Sequence, residues 1–255
     1  MRRNVYTRWQ KFAAGLDRLG FEVGDNPHLP RPGDVLVIWN RYARHERAAR
    51  QYEAAGGTVI VAENGWIGRA PPEGSKPIAL CRSHHNGAGA WPIGDQTRWP
   101  LFEVELLPWR SAAAAADAHI LMLPQRGIGE HGIAMPHDWL NLAITRLRKR
   151  TKRRIVVRMH PGMHEPRDPD FAGAPQPWAA VTWGSGAAIK ALAAGIPVFH
   201  EMPNWVGAPA AHFGLDHLEE PVMGDRLPMF QRLAWAQWSA DEIATGEPLA
   251  RLIER

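Results

Sequence analysis

A short run of small residues, Gly184-Ser185-Gly186, is the part of the sequence best suited to hold an anion. It follows an apolar run at 179–183 and opens an apolar segment at 187–194 that predicts a helix. Small residues at the start of a helix leave backbone N–H groups unpaired and let a ligand approach closely. The turn therefore favours a bound phosphate, and close packing of helix against strand is the structural alternative.

Basic side chains follow the preceding apolar run. Residues 155–157 predict a buried strand, and Arg158 and His160 come directly after it. Parallel strands joined by helices place their ligands at the carboxyl ends of the strands. Ser185 and His200 fall at the ends of the next two predicted strands. This arrangement predicts a phosphate-bearing ligand at one edge of a parallel sheet.

A second group of reactive side chains lies in the first half of the chain. Glu63 directly follows an apolar run at 58–62, so we expect it at the carboxyl edge of a sheet. His84 and His85 lie in a polar, glycine-containing loop. A carboxylate or a histidine can take the proton of a hydroxyl acceptor. Glu63 is the predicted catalytic base, with His84 and His85 as alternatives; its structural alternative is to cap the turn at Asn64-Gly65.

The histidines do not predict a metal site. His84 and His85 are adjacent and lack a second well-spaced set of ligands, and a Pro-Gly pair interrupts any helix between His160 and His164. The chain has one cysteine, which excludes an intramolecular disulfide and argues against a cysteine-based zinc site. We predict no metal ligands.

Length and composition are those of a compact enzyme. The chain has 255 residues, 45% of them hydrophobic, and a net charge of +4, which suits one large domain or two small ones. No apolar run reaches the roughly 20 residues that cross a bilayer, and no apolar segment follows the two arginines at the start. We expect a cytoplasmic protein with no membrane partner.

The apolar pattern predicts two βα halves separated by an alanine-rich run at 111–117. Strands are predicted at 34–39, 58–62, 78–81, 119–123, 155–157, 179–183 and 197–199. Helices are predicted at 7–19, 42–55, 139–152, 187–194 and 227–238, followed by a final helix that Ser239 caps. We expect an α/β fold of two Rossmann-like domains, 1–117 and 118–255, that face a cleft. The final helix is expected to pack back on the first half.

The second half resembles the carboxy-terminal half of GT-B glycosyltransferases. The matching segments are Arg158-Met159-His160-Pro161, Ser185-Gly186, Lys190-Ala191-Leu192 and Gly195-Ile196-Pro197-Val198. The pattern is similar to that of the capsule Kdo transferases and of the polymerases that use CDP-glycerol. In those families a His-Pro segment ends one strand, and a serine-rich turn before a helix binds the nucleotide diphosphate.

The resemblance implies a GT-B-like fold and transfer of a sugar from a nucleotide-diphosphate sugar, UDP-sugars being favoured, without a metal or another cofactor. It implies a set of donor-binding residues: Arg126, Gly127, Arg158, His160, Ser185, Gly186 and Lys190. Relatives often carry a carboxylate for the donor ribose at the position of Lys190, and Glu201 is the predicted substitute. The planar guanidinium of Arg126 suits two phosphate oxygens of the departing diphosphate.

Basic and aromatic residues favour a nucleic-acid partner. A basic run contains four candidate phosphate contacts, Arg148, Lys149, Arg150 and Lys152. The alternative is a solvated helix end, where cations face the negative terminus of the dipole. Trp66 and Trp91 lie among loop residues and either stack on bases or cover the core.

The segments ENGWIG and SHHNGAGAWP also resemble a phage-encoded, glycosyltransferase-like group. That resemblance implies double-stranded DNA with hydroxymethylated pyrimidines as the acceptor. Three other functions stay open: transfer of a phospho-alcohol from a CDP donor, epimerisation of a sugar nucleotide, and nucleic-acid binding without catalysis.

Overall fold

The structure is a computed structural model that describes residues 2–24, 29–70, 75–85, 88–92, 94–111, 118–160, 171 and 176–253. It divides into two compact units. The first unit comprises Met1–Glu103 and Gln231–Arg255, and the second comprises Val104–Phe230. These boundaries differ from the predicted ones. The alanine-rich run placed residues 104–111 in the first domain, but they belong to the second unit. Residues 231–255 were predicted in the second domain and belong to the first unit.

Strands and helices alternate along most of the chain, which confirms the predicted α/β class. The strands are β1 Val35–Trp39, β2 Thr58–Asn64, β3 Ile78–Arg82, β4 Ile120–Leu123, β5 Ile155–Val157, β6 Ala179–Thr182, β7 Val198–His200, β8 His212–Phe213 and β9 Gln237–Trp238. The helices are α1 Arg2–Arg18, α2 Arg44–Ala54, α3 Trp139–Arg148, α4 Gly186–Ala193, α5 Leu227–Ala234, α6 Ala240–Ala244 and α7 Glu247–Ile253. Short 3₁₀ turns occupy Trp99–Phe102 and Ala208–Ala210. No helix in the described ranges is both long enough and apolar enough to cross a membrane.

The first unit contains a mixed sheet in the order β1-β2-β3-β9. β1 and β2 are parallel and joined through α2, which confirms the predicted βαβ unit. β3 and β9 are antiparallel to their neighbours, so this sheet departs from the parallel Rossmann pattern that we expected. β9 lies within the segment predicted as one long helix at 227–238, because α5 ends at Ala234.

Both faces of the first sheet are covered. Alternate residues of β2 point to opposite faces, so Ile60 packs with residues of α1, α6 and α7, whereas Val59 packs with residues of α2. Ser239 caps α6 with a reciprocal bond from its backbone N–H to Glu242, which confirms the predicted capping box. The carboxy-terminal helices of this unit thus complete its own core.

The second unit contains a fully parallel sheet in the order β5-β4-β6-β7-β8. Its core joins the strand residues Ile120 and Phe199 to the α3 residues Trp139 and Leu147. Gly195 ends α4 with a φ of +77°, and its N–H donates to the Leu192 carbonyl of the last turn, an arrangement common for a glycine at a helix end.

One predicted helix end is wrong. The helix predicted at 139–152 ends at Arg148, so the basic residues that follow lie beyond it. Asp138 is the N-cap of α3, and its side chain makes no capping hydrogen bond.

Candidate functional site

The strand order of the second unit points to one edge as a candidate ligand site. From β4 the chain crosses over in one direction to β5 and then returns past β4 to β6. The direction of winding reverses between β4 and β6, and open α/β sheets bind ligands at the carboxyl ends of the strands beside such a switch point. Residues 124–127 and 183–186 follow these two strands.

Two polar side chains tie the loops of this switch point together. Gln125 donates from Nε2 to the Gly184 carbonyl over 3.3 Å and accepts the Gly184 N–H over 3.1 Å. Thr182 donates from Oγ1 to the Leu123 carbonyl over 2.8 Å and accepts the Ser185 N–H over 2.9 Å. These bonds fix the spacing of the two loops. The sequence analysis missed both residues, although Gln125 is the direct neighbour of Arg126.

The start of α4 has fewer vacant donors than its sequence predicts. Ser185 is the N-cap and accepts the Ala187 N–H over 3.2 Å, as a capping serine does. The N–H groups of Gly184 and Ser185 are used by Gln125 and Thr182. Gly186 is the first residue of α4, so its N–H has no partner within the helix. The turn therefore offers chiefly this one N–H and the helix dipole to an anion.

Basic side chains lie at the same edge. Arg126 and His160 are both exposed. Desolvation lowers the pKa of His160, and the positive charge of Arg126 lowers it further. Arg158 continues the β4–β5 pairing, because its N–H donates to the Met122 carbonyl over 3.0 Å. Arg126 thus follows the carboxyl end of β4, and Arg158 and His160 follow that of β5.

Gly127 and Lys190 are two further residues predicted to bind the donor. Gly127 has a φ of +68°, a conformation that favours glycine, and Lys190 is half-buried in α4. Pro161 and Gly162 of the His-Pro motif lie outside the described residues.

Glu201 and His200 are engaged by the protein itself. Glu201 accepts bonds from Arg146 at 2.6 Å and from the Trp139 indole at 2.6 Å, so both of its carboxylate oxygens are occupied. Burial raises the pKa of Glu201, but these bonds outweigh it and lower the pKa below its ordinary value. Burial lowers the pKa of His200 to about 4, and the ring is neutral at physiological pH. Contact of either side chain with a donor would require these contacts to rearrange.

A second polar cluster, in the first unit, contains Glu63, His85 and Arg41. β2 extends through Glu63, which pairs with Ala79 of β3, so Glu63 lies within the strand and not after it. His85 is 3% exposed, and its Nε2 lies 3.2 Å from Oε1 of Glu63. The Arg41 backbone N–H donates to Nδ1 of His85 over 3.2 Å. Because Nδ1 accepts, Nε2 carries the proton of the neutral ring and donates it to Glu63.

The Arg41 side chain holds this cluster in place. Its guanidinium contacts Glu53 at 2.6 and 2.8 Å, Glu46 at 2.5 Å and the Ser83 carbonyl. Burial lowers the pKa of Arg41, but the two carboxylates outweigh this and raise it. The sequence analysis missed Arg41; its signal is an arginine directly after a strand, with acids in the following helix.

Backbone strain flanks the Glu63 cluster. Asn40, Ala43 and Ser83 have φ values of +63°, +50° and +73°, a region that L-residues rarely adopt. Such conformations persist where surrounding contacts hold them, and they concentrate at functional sites. The first two flank Arg41, and the third precedes His84, which is half-buried in the same loop as His85. The arrangement can hold the Glu63 carboxylate at a fixed position.

The residues predicted to contact nucleic acid belong to two different units. Trp66 and Trp91 are both buried within the first unit, and Arg232 lies 4.5 Å from the Trp91 ring centre. Stacking on a base would require these rings to leave their packing. Arg148 is the last residue of α3, and Lys149, Arg150 and Lys152 are exposed beyond it. Within the described ranges, His, Cys, Asp and Glu side chains form no group of three that suits a metal ion.

A scan against models of protein families finds no match for this chain, and a comparison with curated proteins finds no similar one. Among solved structures, the chain is similar to the beta Kdo 2,4 transferase of Thermosulfurimonas dismutans KpsC, with a TM-score of 0.42 and 11% identity over 77% of this chain and 78% of that one. It is also similar to the beta Kdo 2,7 transferase of KpsC from the same organism, with a TM-score of 0.43 and 14% identity over 84% of each chain. Likeness at these scores assigns neither a fold nor an activity to this chain, and its function is therefore argued from its own residues.

Proposed function

We propose that this protein is a glycosyltransferase that moves a sugar from a nucleotide-diphosphate donor to a hydroxyl acceptor. The supporting observation is the pair of basic residues Arg126 and His160 beside the β4–β6 switch point, next to the Gly186 N–H, which has no partner within α4. The sequence resemblance of the His-Pro and Ser-Gly segments to GT-B enzymes favours a sugar nucleotide over other phosphates.

The proposed reaction breaks the bond between the sugar C1 and the diphosphate oxygen and forms a bond from C1 to the acceptor oxygen. Arg126 stabilises the negative charge that develops on the diphosphate, since its planar fork pairs with two phosphate oxygens. His160 is a second donor to the same group, and binding a diphosphate would favour its protonated form. The proton of the acceptor hydroxyl passes to a base, for which we propose Glu63.

His85 and Arg41 position this base. A His85 ring fixed by the Arg41 backbone donates to one oxygen of Glu63, which orients the carboxylate. His85 is buried, with its Nδ1 accepting and its Nε2 donating, so we assign it an orienting role and the proton transfer to Glu63.

The deciding experiment is to incubate the protein with a panel of nucleotide sugars, UDP-sugars first, and to measure release of the nucleoside diphosphate. Each donor is tested alone and with hydroxyl acceptors that include duplex DNA containing 5-hydroxymethylpyrimidines. Acceptor-dependent release of the diphosphate supports the proposal. Release of CMP from a CDP-alcohol, or conversion of the free donor without an acceptor, would replace it with a phospho-alcohol transferase or an epimerase.

Arg126→Ala provides the internal test of the site. We expect turnover to fall by ~10²–10³-fold, the effect of removing one group that stabilises developing charge. Arg18→Ala is the matched control, because it removes an exposed arginine at the end of a helix, α1, to which no binding role is assigned. Equal activities of the two variants would remove Arg126 from the proposed site.

A further inference from the structure

An open groove of about 510 Å³ lies at the opposite edge of the second sheet. It is lined by Ala118, residues 150–154 and Glu219. Ala118 precedes β4, and the carbonyl of Arg154, which precedes β5, accepts the Ile120 N–H over 2.8 Å. The groove therefore lies at the amino ends of these strands, whereas the proposed donor site lies at their carboxyl ends.

The groove is rich in cations. Four of its seven lining residues are basic, Arg150, Lys152, Arg153 and Arg154, and one, Glu219, is acidic. Glu219 pairs with Arg153 at 2.9 Å, and Asp216, outside the lining set, pairs with Arg150 at 3.1 Å. The side chains of Lys152 and Arg154 have no hydrogen bond or ion pair with any part of the chain that the structure describes. The lining thus has an excess of positive charge that protein carboxylates leave uncompensated.

A buried arginine adds to this charge. Arg110 is only 5% exposed, and its guanidinium lies 3.7 Å from the centre of the Trp178 ring. Arg153, a lining residue, lies 3.6 Å from the same ring. Trp178 is fixed by a bond of 2.8 Å from its indole N–H to the Leu218 carbonyl. The Trp178 ring therefore contacts both the buried Arg110 and Arg153 of the groove lining.

The terminal nitrogens of Arg110 lack partners. Its Nε donates to the Trp178 carbonyl, but neither Nη1 nor Nη2 has a hydrogen-bond partner among the described residues. Burial, and to a smaller extent the charge of Arg153, lower the pKa of Arg110 to about 10, although Glu219 opposes the shift. Leaving a buried cation without hydrogen bonds is costly, and an anion nearby would offset that cost. Arg110 does not line the groove, but its charge lies against the ring that Arg153 of the lining also contacts, and it adds to the positive potential there.

We propose that this groove is a second anion site, which binds phosphate groups through Lys152, Arg153 and Arg154 above the Trp178–Arg110 pair. The cations continue beyond the groove onto the exposed Arg148 and Lys149, a row suited to a chain of phosphodiesters. Nucleic-acid backbone and free phosphate share this chemistry, and the arms of the test separate them.

The test measures binding of a short fluorescein-labelled DNA duplex by anisotropy, without any sugar nucleotide, over a series of salt concentrations. The double variant Lys152→Ala/Arg154→Ala removes the two unpaired cations. Both positions are exposed, so we expect the variant to fold like the wild type. Each lost phosphate contact lowers the slope of log K against log salt by ~0.9, and we expect the slope to fall by ~1.8. Arg18→Ala/Arg31→Ala removes the same net charge from exposed sites of the first unit and should leave the slope unchanged.

A second arm titrates inorganic pyrophosphate by calorimetry. Pyrophosphate binding that the Lys152→Ala/Arg154→Ala variant loses, with no duplex binding, identifies the ligand as a free phosphate compound. If neither probe binds in a manner that depends on Lys152 and Arg154, the proposal is overturned. Arg126→Ala should bind the duplex like the wild type, so the result stands apart from the success or failure of the proposed transferase reaction.

Discussion

Replacing His200 with phenylalanine should remove much of the acid sensitivity of the second unit. His200 ends β7 and is 2% exposed, with its ring centre 5.0 Å from that of Trp205 and 5.5 Å from that of Phe213. Its Nδ1 lies 3.2 Å from the Met202 carbonyl and donates to it. Burial among these rings lowers the pKa from 6.5 to about 4, because a charged imidazole would lose its hydration there.

The magnitude follows from proton linkage. At about 1.4 kcal/mol for each unit of pKa, the lowered pKa corresponds to about 3 kcal/mol. The unfolded chain takes up a proton below pH 6.5, whereas folded His200 stays neutral down to about pH 4. The contribution of His200 is therefore fully present above pH 6.5 and is lost as the pH falls from there toward 4.

The assay is denaturant unfolding of the wild type and of His200→Phe between about pH 7 and pH 4, followed by a probe in the second unit. His200→Phe also loses the bond to Met202, which gives a constant offset, so the pH slope is the quantity compared. His212, whose pKa is also lowered by burial, is present in both proteins and cancels. His137→Gln, at an exposed position of the same unit, is the control. The reasoning is refuted if the free energy of unfolding of His200→Phe depends on pH as steeply as that of the wild type. A pKa near 6.5 for His200 in an NMR titration would refute it as well.

Three further predictions concern activity and the glycine turns. Glu63→Gln should lower kcat by ~10²–10⁴-fold with little change in donor affinity, because the amide keeps the shape and loses the proton acceptor. Near-normal kcat in that variant, together with an inactive His84→Ala, would give the role to the histidine. Gly186→Val should weaken binding of a nucleoside diphosphate in calorimetry, because a branched side chain crowds the vacant N–H at the start of α4; unchanged affinity in the folded variant would place the donor elsewhere. Gly195→Ala should destabilise the protein by more than ~2 kcal/mol in urea unfolding, since its φ is +77° and a Cβ would lie 2.0 Å from a backbone carbonyl oxygen. Gly214→Ala, with a φ of +80° and nothing within 4 Å, is the control and should cost only ~1 kcal/mol.

Local sequence signals located most of the elements. Apolar runs predicted every strand of the second sheet up to β7, because buried parallel strands are short and uniformly apolar. They missed β8 and β9, which are two residues long and depend on pairing with a neighbour. The helix predicted at 227–238 is too long for the same reason. The helical pattern continues through Gln237 and Trp238, but these residues pair with β3 and form β9.

The candidate sites were predicted in part. The positions of Arg126, Arg158 and His160 could be predicted, since the residues that follow parallel strands share one edge of the sheet. The bonds from Gln125 and Thr182 to the glycine turn could not, because they join segments more than fifty residues apart. As a result, the sequence overstated how many N–H groups are vacant at the start of α4.

By itself, the sequence determined the α/β class, the elements built on local apolar periodicity, and the strand ends on which polar residues gather. Only the tertiary structure decided which of those polar groups are already paired. It joined His85 to Glu63, enclosed His200 and Trp66, and placed Arg110 beneath Trp178. The physical reason is that burial and pairing depend on distant segments meeting in space, and these two quantities set the charge state and availability of a side chain.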